Sequence, residues 1–265
     1  MLYLQGSQML QLLENSLRKH LPESLKAYGT VFHMNKGNPF KVKALVDKWP
    51  DFNTVVIRPQ EEDMTDDLDH YTNTYLIYSK DPVNCQKFLG SSEVINWKQH
   101  LQIQSSQSSL DKVIEHLADI NLGNVKHTQC FLYMVFDTAK KLLPSLVDSK
   151  NLVQSNQAFI LSPLCQSISL LSRPVFTLTT FLGIPVSWCL MDHTGELRMG
   201  GTLPQYRRQG LIYHISHHQI HTLGNLDIPL YVHVDKSNLT MQRVAAMLAH
   251  VRMPCNWNQW NYVPL

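Results

Sequence analysis

From Gly195 to Gly210 the chain reads Gly-Glu-Leu-Arg-Met-Gly-Gly-Thr-Leu-Pro-Gln-Tyr-Arg-Arg-Gln-Gly, and helical spacing begins at once with Leu211, Ile212, Ile215 and Ile220. An edge-like strand that hands over to a helix through a basic glycine turn restricts the chain to folds mixing strands with helices. The turn Arg207, Arg208, Gln209, Gly210 then sits at a helix N-terminus, where the N–H groups, Leu211's included, lack intrahelical acceptors. Gly210 lets the backbone approach a pyrophosphate with no Cβ in the way. The helix dipole, Arg207 and Arg208 all favour negative charge at that point. A pyrophosphate-bearing ligand is therefore expected there.

The chain has 265 residues, enough for one large or two modest domains. Its 23 Lys and Arg are interspersed with 21 Asp and Glu for a formal charge of +2, so no broad basic face argues for nucleic acid. The five cysteines stand singly, which reads as reduced thiols rather than a disulfide framework. No apolar run approaches the ~20 residues of a membrane span. Ser7 to Leu21 forms an amphipathic helix, either a core-packing first helix or a mitochondrial presequence; Glu14 and the scarcity of Arg count against the second reading.

The first half predicts an α/β order. Leu25 to His33 reads as a strand, Val42 to Lys48 as a short helix, and Thr54 to Ile57 and Tyr75 to Tyr78 as strands. Asp81 to Leu89 and Asp111 to Ile120 read as helices, with a strand at Phe131 to Phe136. The acidic stretch around Met64 reads as solvated loops and helix starts, and Gln102 to Ser109 as a polar connection. After about Phe181 a second unit follows: a hairpin of Val186 to Met191 with Leu197 to Leu203, the basic turn and helix, the strand Leu230 to Val234, a helix from Asn238 to Ala249, and an aromatic tail expected to close a core as a final strand.

The turn resembles the acyl-coenzyme-A loop of the GNAT superfamily, Gln/Arg-x-x-Gly-x-Gly/Ala, with Ile212 departing at the last small position. The longer runs Lys48-Trp49-Pro50-Asp51-Phe52, Met64-Thr65-Asp66-Asp67-Leu68-Asp69, Asn96-Trp97-Lys98-Gln99-His100-Leu101-Gln102-Ile103-Gln104, Pro185-Val186-Ser187-Trp188 and Trp257-Asn258-Gln259-Trp260-Asn261 are similar to the glycine N-acyltransferases. That resemblance implies an α/β (α+β) fold: a GNAT-like mixed sheet flanked by helices in a C-terminal acyl-CoA domain at 183–265, after an N-terminal α/β domain at 1–150. Between them, 151–182 departs from the family. It is shorter by about two helices' worth of sequence, and its β-forming residues offer one or two strands instead.

The resemblance further implies transfer of an acyl group, benzoyl or similar, from acyl-CoA to glycine in the mitochondrion, by a monomer without metal. Glutamine is the other acceptor considered. The pantetheine arm is expected alongside Met199, Gly200, Gly201, Thr202 and Leu203, the pyrophosphate at Arg207 to Leu211, and Asn238 at a polar contact with coenzyme A or as a helix cap. Glycine's amine attacks only after losing a proton, so a carboxylate base is needed, and Glu196 stands where the family carries its candidate. Without the resemblance Glu196 reads as an exposed hairpin residue. A strand N–H would stabilise the oxyanion. Cys189 and His193 offer a thiol–imidazole pair, with Cys189 as a small core residue the alternative. His214, His217, His218 and His221 read as an exposed histidine-rich helix rather than a zinc site. The competing class is an acyl-CoA binder left without turnover by the shortened segment.

Overall fold

The computed structural model describes residues 1–136, 159–163, 175–180, 182–224 and 229–265. The chain divides into two compact units, 1–131 with 254–265, and 132–253.

The first unit contains β1 (Leu2–Leu4), α1 (Ser7–Arg18), α2 (Leu25–Asn35), β2 (Val42–Val46), β3 (Thr54–Pro59), β4 (Thr74–Ser79), α3 (Pro82–Leu89), β5 (Leu101–Ser105), α4 (Asp111–Ile120) and most of β6 (Gly123–Met134). The strand β12 (Val251–Pro264) returns to it, giving the sheet order β1-β2-β3-β4-β5-β12-β6. β4 and β5 are parallel; β1 to β4 pair antiparallel in sequence order, as do β12 and β5. Tyr75 and Ile77 of β4, Ile103 of β5 and Trp260 and Tyr262 of β12 join the apolar faces of α3 and α4 in one core. Leu76 and Tyr78 are equally buried, and strand alternation turns them to the opposite face.

Three expectations fail in this unit. Leu25 to His33 is helix α2, not a strand. Its residues from Leu25 to Met34 are buried all round, so it carries no polar stripe to reveal a helical period. Val42 to Lys48 is not a helix; Val42 to Val46 forms β2, paired on both edges. Gln102 to Ser109 is not a mere connection, since Leu101 to Ser105 forms the interior strand β5, buried throughout. Its glutamines are tolerated because each finds a partner: Gln102 Nε2 donates to Thr74 Oγ1 at 2.9 Å and Gln104 Nε2 to Gln259 Oε1 at 3.3 Å. The aromatic tail is a strand with Trp257, Trp260 and Tyr262 buried, as expected, but it lies in the first unit's sheet.

The second unit carries β7 (Phe159–Pro163), β8 (Val175–Thr180), β9 (Pro185–Met191), β10 (Leu197–Thr202), α5 (Leu211–Gly224), β11 (Tyr231–Val234) and α6 (Leu239–Met247). β10-β9-β8-β7 form an antiparallel sheet. β7 and β8 are the strands expected of the 151–182 segment; the rest of it, and with it the question of the two helices, lies outside the described residues apart from Leu182. α5 packs on β8, β9 and β10.

Candidate active site

β10 and β11 meet at one parallel bridge, Glu196 with Tyr231, and belong to different sheets beyond it. Beyond that bridge, no strand among the described residues pairs with the edge of β10 that faces away from β9, and such an edge offers backbone N–H and C=O groups to an extended ligand. The register with β9 also shifts between Arg198 and Gly201, where Met199 takes a left-handed φ of 53°. Such a bulge re-aims backbone groups next to the splay. Between the strands lies a cavity of about 170 Å³, lined by Arg198, Met199 and Gly200 of β10, His233 of β11, Ile212 of α5 and Val244 of α6, among others.

At the far end of β10 the chain makes a short 3-10 turn at Pro204–Tyr206 and reaches α5. Arg208 and Gly210 both have left-handed φ, 65° and 72°. Gly210 O accepts from Tyr213 N at 2.9 Å, so Gly210 begins the helix and the N–H groups just after it have no intrahelical acceptor. Apart from its chain neighbours and its own helix, a Cβ on Gly210 would meet no atom of the described residues within 4 Å. Arg207 donates through Nε to Thr202 O at 3.2 Å, and Arg207, Arg208 and Gln209 are exposed. The turn is thus an exposed cationic segment at a helix start, which suits a phosphate.

Glu196 is fully buried, in place of the exposed hairpin glutamate that its sequence position alone suggests. The turn before it is tied by Asp192, whose Oδ1 accepts from Thr194 N at 2.8 Å, Thr194 Oγ1 at 2.7 Å and Glu196 N at 3.2 Å. Tyr231 hydroxyl pairs with Thr194 Oγ1, and His233 Nδ1 with Glu196 Oε1. Arg198 Nη1 lies 3.3 Å from Asp192 Oδ2. Burial works against the Arg198 charge, but the Glu196 and Asp192 carboxylates outweigh it and hold the guanidinium above its ordinary range. Burial and then those same carboxylates push the Tyr231 phenol well above its ordinary value, so it stays neutral.

Cys189 is buried, and burial pushes its thiol up to about 12. Its Sγ faces the carbonyls of Leu190 and Arg198, which makes it a core residue rather than a thiolate nucleophile. The histidine helix is not exposed as expected. His217 is buried, and burial lowers His214 and His218 from 6.5, since α5 lies against the sheet. Among the described residues no group of three or more His, Cys, Asp or Glu is arranged to hold a metal, and no helix is long and apolar enough to cross a membrane.

Residues 1–174 match the family described as aralkyl acyl-CoA:amino acid N-acyltransferase, and residues 176–264 match its C-terminal region. The chain belongs to this N-acyltransferase family. It is 63% identical to the glycine N-acyltransferase-like protein Keg1 of Rattus norvegicus and 54% identical to glycine N-acyltransferase of Homo sapiens, each with 100% of both chains covered. Both alignments extend over 295 positions against 265 residues here, so these N-acyltransferase relatives carry sequence that this chain lacks. An X-ray structure of a Drosophila protein superposes with a TM-score of 0.74 at 14% identity, covering 99% of this chain and 98% of the other. A GCN5-related N-acetyltransferase from Kribbella flavida does so with 0.55 at 12% identity, covering 88% and 95%. The fold is the GNAT-like mixed sheet flanked by helices that the sequence led us to expect.

In this N-acyltransferase Met199 and Gly200 reach the cavity, Gly201 and Thr202 continue β10, and Leu203 N pairs with Val186 O at 2.9 Å. Asn238 is exposed and caps α6, its Oδ1 accepting from Met241 N at 3.0 Å; it does not line the cavity. Sequence reasoning missed His233. The signal was a lone imidazole within the short apolar strand Tyr-Val-His-Val, on the same strand face as Tyr231.

Proposed function

We propose that this chain transfers an acyl group from acyl-CoA to the amino group of glycine, by direct attack within a ternary complex. The observation that carries the reading is the shared cavity: the bulged, open edge of β10 and a histidine bonded to the Glu196 carboxylate both reach it. The pantetheine amides would pair with the open edge, and the pyrophosphate would meet the N–H groups and arginines at 207–211. A bulge N–H, from Met199 or Gly200, would stabilise the oxyanion as the thioester carbonyl is attacked. Glu196 supplies the carboxylate on which removal of the ammonium proton depends.

An apolar cavity of about 150 Å³ accepts benzene, so a space of about 170 Å³ with Val232, Val244 and Leu248 in its wall supports an acyl group the size of one aromatic ring, such as benzoyl. Arg198 is the Lys or Arg among its lining residues, which supports an acceptor bearing a carboxylate. Release of thiol from benzoyl-CoA by the purified protein tests this reading. We expect release only with glycine, and a Glu196→Gln variant about 100-fold slower at neutral pH, recovering in part at higher pH as glycine loses its proton unaided. Glycine-independent release, or none, removes the activity; wild-type rates in the variant at every pH remove Glu196 from it.

A further inference from the structure

Glu196 has no exposed surface, so its carboxylate cannot touch an amine that enters the cavity. His233 can. Its side chain keeps 25% of its surface exposed, lines the cavity beside Met199 and Gly200, and holds Nδ1 against Glu196 Oε1. A carboxylate accepts, so the ring donates to it through Nδ1–H, and Nε2 is the ring nitrogen on the side away from Glu196.

The other titratable groups around the cavity are poorly suited to the task. Arg198 keeps its proton, Cys189 is a buried thiol at about 12, and burial pulls His250 down to about 4 with both ring nitrogens enclosed. Tyr231 and Asp192 are committed to the Thr194 turn.

We propose that His233 is the catalytic residue that receives the proton from glycine's ammonium, and that Glu196 is a positioning residue which fixes the ring's tautomer and stabilises the imidazolium. The proposal rests on the acyl-transfer reading above. In the step, one N–H bond of the ammonium breaks and its proton passes to Nε2. The freed nitrogen pair forms the C–N bond, the carbonyl pair moves onto oxygen opposite the bulge N–H groups, and collapse expels coenzyme A as thiolate. His233 returns its proton to that sulfur, and the second proton lost by the nitrogen leaves to water. One imidazole thus serves as base and then as acid, and ends neutral. The buried Glu196 carboxylate stabilises the cation beside it.

The test uses the full chain and three readouts. His233→Ala is expected to lower kcat by about 100-fold or more, with KM for benzoyl-CoA changed less than twofold and partial rescue by added imidazole. His233→Asn retains a donor toward Glu196 without a basic nitrogen; it is expected to be as slow and not to be rescued. In the wild-type protein, nitrogen NMR of the imidazole is expected to show Nδ1 protonated and Nε2 bare. Either variant turning over at the wild-type rate, or an Nε2–H tautomer, overturns the role of His233 while leaving the transferase reading intact. A wild-type protein with the expected tautomer and no glycine-dependent release overturns both.

Discussion

At the scale of single residues, the bulge of β10 depends on what small side chains permit. A Cβ built on Gly201 would lie 2.7 Å from Trp188 Cζ2 and 2.9 Å from Cε2, whereas one on Gly200 would meet only Ile212 Cδ1 at 3.2 Å among close contacts. The Trp188 ring therefore lies over Gly201, and that contact sets how β9 carries β10 past the bulge. Gly201→Ala is expected to destabilise the protein by about 1–3 kcal/mol through overpacking, and Gly200→Ala by less, as measured by urea denaturation. Ser187 reinforces the same place, donating to Gly201 O at 2.9 Å and lying 2.8 Å from Thr202 Oγ1. These contacts belong to the hairpin, so a loss at Gly201 should also appear as a raised KM for acyl-CoA.

At the scale of elements, β12 is held in the first unit by more than its backbone ladder. Asn258 is fully buried; its Oδ1 lies 3.1 Å from His127 Nε2 and accepts from Gln129 Nε2 at 3.0 Å, while its Nδ2 donates to Asn256 O at 3.2 Å. Asn258→Leu strands polar groups on neighbouring strands, at about 1–3 kcal/mol for each one left unsatisfied, and calorimetry should register a lowered melting temperature. The elements that were legible in the sequence are those with a polar side. α4 shows Val113, Ile114 and Leu117 against a charged face, and α3 announces itself with Asp81, whose side chain accepts from Val83 N, followed by Pro82. The illegible ones are buried on every side: α2 has no stripe, and β5 hides behind Gln102 and Gln104, whose pairing partners are remote in sequence. The same limit applied to the site. Glu196 and the basic turn stand in one run, but His233 joins Glu196 only through a bridge across 35 residues of chain, from 196 to 231.

At the scale of the whole molecule, the buried histidines make stability depend on pH. His250 is neutral in the folded state, its value lowered from 6.5 to about 4 by burial, with carbonyls of Ala245 and Leu248 acting the other way. The unfolded chain therefore binds the proton first as pH falls. The contribution is complete above about 6.5 and is lost between there and about 4, amounting to about 2 kcal/mol by pH 5. His214 and His218, also lowered by burial, act with the same sign. The melting temperature should fall between pH 7 and pH 5, and fall less in His250→Phe; equal slopes in the two proteins would refute the assignment. The placement of β12 has another effect, on how the protein is made. Residues 132–253 leave the ribosome before 254–265, the segment that belongs between β5 and β6. At about 5–20 residues per second, the nascent first unit waits several seconds with two bare strand edges facing each other across a gap. That interval, until the last central strand arrives, is when edge-to-edge pairing with another newborn chain is easiest.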